Sequence, residues 1–148
     1  MAKNDMKVFE EFAADIGKKV INLDTDTLKL ALITTAYASV AVSTASPTWS
    51  DFSAAQVSGS GYSAGGATVA SNALVEASGV GTFDASDVTW STTVGGPLDV
   101  RTAILYSSTA AASNAIAAVD IGSAAVSLVA GDITVAWHAS GILTMTQG

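Results

Sequence analysis

The fold of this chain is decided by a short stretch near its N-terminal end, where residues 28–33 read LKLALI. Leu28, Leu30 and Leu32 occupy every second position, whereas a helical face would place apolar residues three and four positions apart. An alternation of period two is typical of a strand in a β-sheet, because successive side chains point to opposite faces. We therefore predict a strand at residues 28–33.

Further strand-like stretches follow at short intervals towards the C-terminal end. They show alternation or many β-branched residues. These predicted strands are residues 67–70, 80–83, 88–91, 100–106, 116–121, 125–129, 133–138 and 142–146. Glycine-rich turns separate them, and no helices of the length that a parallel crossover needs lie between them. The sequence predicts a mainly β fold: an antiparallel β-sandwich or a barrel-like domain of about eight or nine short strands.

Only the N-terminal segment shows a clear helical period. Residues 6–20 place apolar side chains three and four positions apart, which indicates one amphipathic helix. We therefore divide the chain into an N-terminal helix or arm over residues 1–22 and a single β domain over residues 23–148. The helix has two open roles: it covers a face or end of its own sheet, or it docks on a partner as an arm.

A polar stretch without periodicity, residues 40–50, separates the first two predicted strands. It contains Pro47 and is expected to form an exposed loop. Directly after it, residues 49–53 are expected to form a short turn, capped by Ser50 or Asp51, with its two aromatic rings packed inward.

Composition excludes several classes of function. The 148 residues fit one domain, and the absence of cysteine excludes disulfides, thiolate metal sites and cysteine nucleophiles. A formal net charge of -7 opposes nucleic-acid binding, which depends on Lys and Arg contacts to phosphate. Neither a signal peptide nor a run of about 18 apolar residues is evident, so no membrane partner is expected.

The single histidine, His138, is the natural candidate for acid–base catalysis. On the predicted strand it faces opposite to Ile133, Val135 and Trp137, which places it on the polar face of a half-buried sheet. Nothing in the sequence resembles a nucleophile elbow. We therefore predict that the chain is not an enzyme.

Other chemically suggestive residues also have structural interpretations. Asp24 with Asp26, and Asp84 with Asp87, lack the continuing ligand pattern of a calcium loop and are expected to stabilise turns. Residues 59–64 read GSGYSA and match a loose dinucleotide pattern, but a strand-like segment follows instead of the required helix. No cofactor and no metal are predicted.

The order of several phrases carries a family resemblance. Residues 25–32 read TDTLKLAL, residues 57–67 read VSGSGYSAGGA and residues 87–91 read DVTWS; RTAILY at 101–106, VDIG at 119–122 and GDITV at 131–135 follow. Together they resemble a family of small virion proteins of tailed bacteriophages. The likeness extends from about Leu23 to Met145.

Proteins of this kind are capsid decoration (cement) proteins or other small head and tail components. The resemblance implies a protein synthesised in the host cytoplasm that binds the outer capsid surface and stabilises it. Its partners would be the major capsid protein and copies of itself, with a homotrimer as the first choice. The alternative is a tail, neck or fibre component that contacts host glycans, for example through an exposed tryptophan.

The predicted partner contacts are apolar and aromatic side chains of the helix, the turn and the glycine-rich loop. They are Met6, Phe9, Phe12, Trp49, Phe52 and Tyr62. An outer position on the capsid also suits the acidity of the chain, because packaged DNA repels an acidic protein.

Overall fold

The computed structural model describes residues 5–122 and 124–146. Ten strands and two short α-helices are present in these ranges. In chain order they are β1 (Met6–Val8), α1 (Phe12–Gly17), β2 (Leu28–Ile33), α2 (Trp49–Phe52), β3 (Ala67–Thr68), β4 (Ala73–Ala77), β5 (Val80–Asp84), β6 (Val88–Trp90), β7 (Thr102–Ser107), β8 (Ala115–Asp120), β9 (Ile133–Val135) and β10 (Leu143–Thr146). Two single turns of 3₁₀ helix flank α2 in sequence, at Tyr37–Ser39 and Ser53–Ala55.

The strands form three sheets in which every pairing is antiparallel. The largest sheet has the order β1-β8-β7-β2-β3, the second has the order β10-β5-β4, and β6 pairs with β9. The central pair, β2 and β7, matches all six residues of β2, with Leu30 opposite Leu105. This arrangement confirms the mainly β, antiparallel fold.

The main core lies between the five-stranded sheet and the two smaller sheets. Leu28, Leu30 and Leu32 of β2 are fully buried in it, as the alternation of LKLALI predicts. Phe83 of β5 and Trp90 of β6 belong to the same cluster. Two layers of sheet that share one apolar interior make a β-sandwich.

The opposite face of the five-stranded sheet is also buried, which the sequence did not predict. Ala31 and Ile33 have no exposed surface and pack in a second cluster with Tyr37 and Val40. Residues 40–50 are therefore not simply an exposed loop, because the segment between β2 and β3 covers this face. LKLALI carries apolar residues at both parities from Leu30 onwards, so both faces of β2 need cover.

The short helix α2 belongs to this covering segment. Its N-cap is Thr48, where the sequence suggested Ser50 or Asp51. Asp51 still contributes, since its carboxylate accepts hydrogen bonds from the Thr48 N–H at 2.8 Å and from the Thr48 hydroxyl at 3.0 Å. The reciprocal capping box fixes the start of α2 directly after Thr48.

The prediction of one helix over residues 6–20 is wrong in its first part. Met6–Val8 form β1, which pairs with β8 and extends the large sheet; only Phe12–Gly17 are α-helical. Met6 and Val8 contact the main core, whereas the Lys7 ammonium donates to the Tyr37 carbonyl at 2.6 Å. The sequence did not reveal this alternation, because residues 6–8 also fit the helical spacing of residues 6–20. Since β1 pairs with β8, the described part of residues 1–22 packs as part of the β domain.

Two further differences concern strands. Residues 125–129 form no strand, and only Val126 makes an isolated bridge, to Val100. β4 was missed because its sequence, ALVEA, shows no clear alternation of polarity. It forms a tight hairpin with β5, closed by Ser78 and Gly79, which both have positive φ.

Candidate interaction surface

Large apolar side chains are exposed at two places on the described surface. Val94, Leu98 and Val129 are 91%, 64% and 46% exposed, and they lie on two loops that are hydrogen-bonded to each other. We call these three residues the loop patch. The second place is β4, where Leu74 and Val75 are 37% and 62% exposed.

The loop patch rests on a fixed backbone. The Thr93 N–H donates to the Leu128 carbonyl at 3.2 Å, and the Leu128 N–H donates to the Pro97 carbonyl at 2.9 Å. The side chain of Leu128 is fully buried in the main core and anchors both loops. A surface held in this way loses little conformational freedom when it binds a partner.

The glycine-rich loop, residues 59–64, packs against the backbone that carries the loop patch. The Ser60 N–H donates to the Gly95 carbonyl at 2.8 Å. A Cβ atom on Gly59 would approach the same carbonyl oxygen to 2.7 Å, so only glycine permits this contact. Residues 59–64 therefore form a packing turn in the structure, in agreement with their structural interpretation.

Polar groups border the loop patch. The Asp132 carboxylate accepts hydrogen bonds from the side chain and the backbone N–H of Thr92, each at 2.7 Å, and these bonds lower the pKa of Asp132. The Arg101 guanidinium donates to Asp99 at 2.8 Å. An apolar centre with a hydrogen-bonded polar border is the usual anatomy of a protein interface.

Of the predicted partner contacts Phe9 and Phe12 are buried, whereas Trp49 and Phe52 are partly buried and pack against the second cluster. Phe9 and Phe12 are only 2% and 7% exposed. Phe52 packs on Phe9, with 5.4 Å between ring centroids, and Trp49 stacks on Tyr106 at 5.2 Å. A partner reaches Phe9 or Phe12 only if the N-terminal segment leaves its sheet.

The remaining two predicted contacts are half-buried. Met6 lies in β1 against the main core. The Tyr62 hydroxyl accepts a hydrogen bond from the Leu32 N–H at 3.0 Å, and burial raises the pKa of Tyr62 to about 12. Tyr62 thus holds its loop against β2, and its contact with a partner stays a prediction.

His138 lies beyond the end of β9 and is exposed, so the prediction that it sits on a strand is wrong. The chain turns there, and the His138 Nδ1 accepts a hydrogen bond from the Ser140 N–H at 3.1 Å. The strand ends early because the Trp137 N–H turns to the Asp87 carboxylate, at 2.9 Å.

The aspartates accept hydrogen bonds from backbone N–H groups, but only some of them locally: Asp84 bonds to the next residue, whereas Asp24 and Asp87 bond to segments distant in sequence. Asp24 accepts a hydrogen bond from the Leu74 N–H at 3.2 Å, and Asp84 accepts one from the Ala85 N–H at 2.9 Å. Among residues 5–122 and 124–146 no three His, Asp or Glu side chains lie close enough to hold a metal ion. None of the helices in these ranges has the length and apolar character needed to span a membrane.

The tryptophans differ in their surroundings. Trp90 is buried in the main core, as predicted. Trp137 is half-buried, and its ring N–H donates to the Ser86 carbonyl at 3.1 Å. Together with the stacking of Trp49 on Tyr106, this accounts for all three rings as packing elements.

Sequence reasoning missed both exposed apolar places. The signal for the loop patch was a pair of large apolar residues, Val94 and Leu98, on either side of the turn at residues 95–97. Comparison of the chain with protein-family models, curated proteins and solved structures found no match.

Proposed function

We propose that the chain is a structural virion protein of a tailed bacteriophage, a decoration protein that binds the outside of the capsid and stabilises it. The loop patch is the surface that meets the major capsid protein. The observation that carries this proposal is a set of three strongly exposed apolar side chains on two hydrogen-bonded loops of a small acidic β-sandwich. Apolar patches with a polar border are typical of binding surfaces.

The size of the patch sets the strength of the contact. The exposed fractions of Val94, Leu98 and Val129 together equal about two fully exposed side chains. Covering them is worth roughly 3–6 kcal/mol, since each large aliphatic side chain contributes about 1.5–3 kcal/mol. The cost of association is subtracted from this gain, so other contacts of the same face must also contribute to binding.

The charge of the chain supports an external position. Thirteen acidic residues against six basic ones oppose a place beside packaged DNA. The Asp132 carboxylate, bonded to Thr92 two residues before Val94, supplies negative charge beside the loop patch, so a basic capsid surface around an apolar depression is the matching partner.

The test uses purified chain and expanded capsids that lack it. Saturable co-sedimentation and a higher melting temperature of the decorated particle are expected. Replacing Val94, Leu98 and Val129 with serine together should weaken binding at least about hundredfold, the equivalent of about 3 kcal/mol. Val75→Ser is the matched control, because it removes an exposed apolar side chain of β4, outside the loop patch. At low occupancy, where bound copies do not contact each other, this variant should bind capsids as the wild type does.

Two results would overturn the proposal: no binding of the wild-type chain to capsids, or equal binding of the triple variant. Immunogold labelling of whole particles separates the capsid from the alternative location. Label on the tail, neck or fibres would replace the capsid assignment. A glycan-binding role there has less support, because Trp90 is buried and the partly buried Trp49 stacks one ring face on Tyr106.

A further inference from the structure

The strand β4 is an open edge of the three-stranded sheet. Among the described residues it pairs only with β5, through a two-residue turn that makes Ala77 and Val80 the closing hydrogen-bonded pair. Hydrogen-bonded and non-hydrogen-bonded pairs alternate in an antiparallel ladder. The backbone groups of Leu74 and Glu76 therefore point away from β5, and the bond from the Leu74 N–H to Asp24 agrees with this direction.

We propose that β4 pairs with β4 of a second copy of the chain, antiparallel, about a two-fold axis through Val75. The two three-stranded sheets then become one six-stranded sheet. The inference concerns copies of this chain in solution and is independent of the capsid assignment. It rests on the register of β4, on its exposed side chains and on one charge pair.

The register places complementary groups opposite each other. With Val75 facing Val75 of the partner subunit, Leu74 faces the partner's Glu76. The backbone N–H of each of these two residues donates to the carbonyl of the other, and the two-fold axis repeats the arrangement. On the outer face, Ala73 and Ala77 meet as small, flat neighbours on either side of the two valines. The pairing covers Val75, which is 62% exposed in the single chain.

Another register is opposed by charge. Moving the axis to Glu76 places this carboxylate opposite Glu76 of the partner subunit. Like charges directly opposite each other destabilise a strand pair. Glu76 thus disfavours the register that is centred on Glu76, and the cysteine cross-link tests the one that is centred on Val75.

The groove beside β4 supplies the matching charge. This groove, of about 380 Å³, is lined by Ile16, Ile21, Leu23, Leu74 and the cationic Lys19, with Asn22 between them. Leu74 and Glu76 lie on the same face of their strand, so the partner's Glu76, opposite Leu74, points its carboxylate to this groove. Within the described residues Lys19 has no ion pair, so it can pair with the carboxylate of the partner's Glu76. The two-fold axis creates the same pair a second time, between Glu76 and the partner's Lys19.

Two hydrogen bonds of the same chain compete with the pairing. The Glu76 Oε1 accepts one from the Gly79 N–H at 2.8 Å, which the pair with the partner's Lys19 must replace or share. The Asp24 carboxylate occupies the Leu74 N–H at 3.2 Å, and the carbonyl of the partner's Glu76 must replace it. Proteins commonly protect open edges with such charged groups. The dimer is therefore weak and reversible, and Asp24→Ala should strengthen it.

Cysteine cross-linking tests the register directly, because the chain has no cysteine. In the proposed pair the two Val75 Cα atoms are about 4.5 Å apart, within the range of a disulfide. Val75→Cys should form a disulfide-linked dimer under mild oxidation. Ala77→Cys is the matched control on the same strand and face: its copies are four residues out of register, roughly 14 Å apart, and should not link.

Charge exchange gives a second readout by sedimentation velocity. Lys19→Glu and Glu76→Lys should each weaken the wild-type dimer about fivefold or more, since two exposed ion pairs are lost. The double variant restores both pairs and should recover the wild-type affinity. Circular dichroism verifies that each variant remains folded.

The proposal is overturned if Val75→Cys does not link, or links no faster than Ala77→Cys. It is also overturned if the wild-type chain stays monomeric up to the highest soluble concentration, or if the double charge variant associates no better than the single ones. A chain that fails these tests but binds capsids would leave the decoration role intact. A chain that dimerises but does not bind capsids would refute the decoration role and leave the pairing of β4 intact.

Discussion

Replacing Tyr62 with phenylalanine tests how the end of β2 is held. β3 runs beside β2 only at Lys29 and Leu30, so the outward backbone groups of Leu32 need other partners. The Leu32 carbonyl accepts from the Val57 N–H at 3.1 Å, and the Leu32 N–H donates to the Tyr62 hydroxyl at 3.0 Å. The tyrosine hydroxyl thus replaces one bond of a missing neighbouring strand.

Tyr62→Phe keeps the ring, whose centroid lies 6.5 Å from that of Trp90. It removes the acceptor for the Leu32 N–H and a long hydrogen bond, 3.5 Å, from the hydroxyl to the Gln56 Oε1. A buried N–H without a partner costs about 1–3 kcal/mol. For a domain of this size, about 2 kcal/mol corresponds to a fall of roughly 4–8 °C in melting temperature. Urea denaturation followed by tryptophan fluorescence measures the free energy of unfolding.

The matched control is Tyr106→Phe. The Tyr106 hydroxyl donates to the Gly65 carbonyl at 2.7 Å, and Gly65 is half-exposed, so water can replace this donor. This variant should lose less than half as much stability. If Tyr62→Phe unfolds within about 0.5 kcal/mol of the wild type, the hydroxyl does not hold β2 and the reasoning is refuted.

The difference in stability between the wild type and Tyr62→Phe also has a defined pH dependence. Burial raises the pKa of Tyr62 from 10.0 to about 12, so the folded chain keeps this proton longer than the unfolded chain. The stabilisation is complete below about pH 10 and is lost as the pH rises towards 12. The stability gap between wild type and Tyr62→Phe should narrow over that range; a constant gap would contradict the assignment.

Two further predictions concern single positions. Gly66→Ala should cost about 3 kcal/mol or more in unfolding free energy, because a Cβ atom there overlaps the backbone of β2 and φ is +83°; Gly79→Ala, with φ +81° and open space around it, should cost only about 1 kcal/mol. Carboxyl NMR titration should give Asp132 a pKa below 3.8, and Thr92→Val should raise it towards that value by removing the side-chain donor. Asp132 stabilises the fold above its unfolded pKa and loses this effect as the pH falls; an unchanged pKa in Thr92→Val would assign the shift to another group.

The sequence predicted the strands whose side chains alternate clearly. β2, β7 and β8 were expected within two residues of their observed bounds, because buried strands carry dense β-branched and aliphatic patterns. β1 was mistaken for helix, since three residues are too few to display a period. β4 was missed because an edge strand need not alternate when neither of its faces is deeply buried.

The candidate surfaces were harder to predict than the core. The sequence favoured large aromatic side chains as contacts, yet aromatic rings are also the best core residues, and Phe9 and Phe12 pack inside. Val94 and Leu98 look ordinary in sequence, because exposure depends on whether another segment covers a residue. That is a property of the folded chain.

By itself the sequence determined the class of the fold and the net charge of the molecule. The alternation in LKLALI and the glycine-rich turns required antiparallel strands, and the composition required an acidic molecule without cysteine chemistry. Only the tertiary structure decided that residues 34–55 cover the second face of the large sheet, that β1 forms one of its edges, and that β4 and the loop patch stay open. The physical reason is that periodicity fixes which way a side chain points, whereas burial depends on distant segments that pack against it.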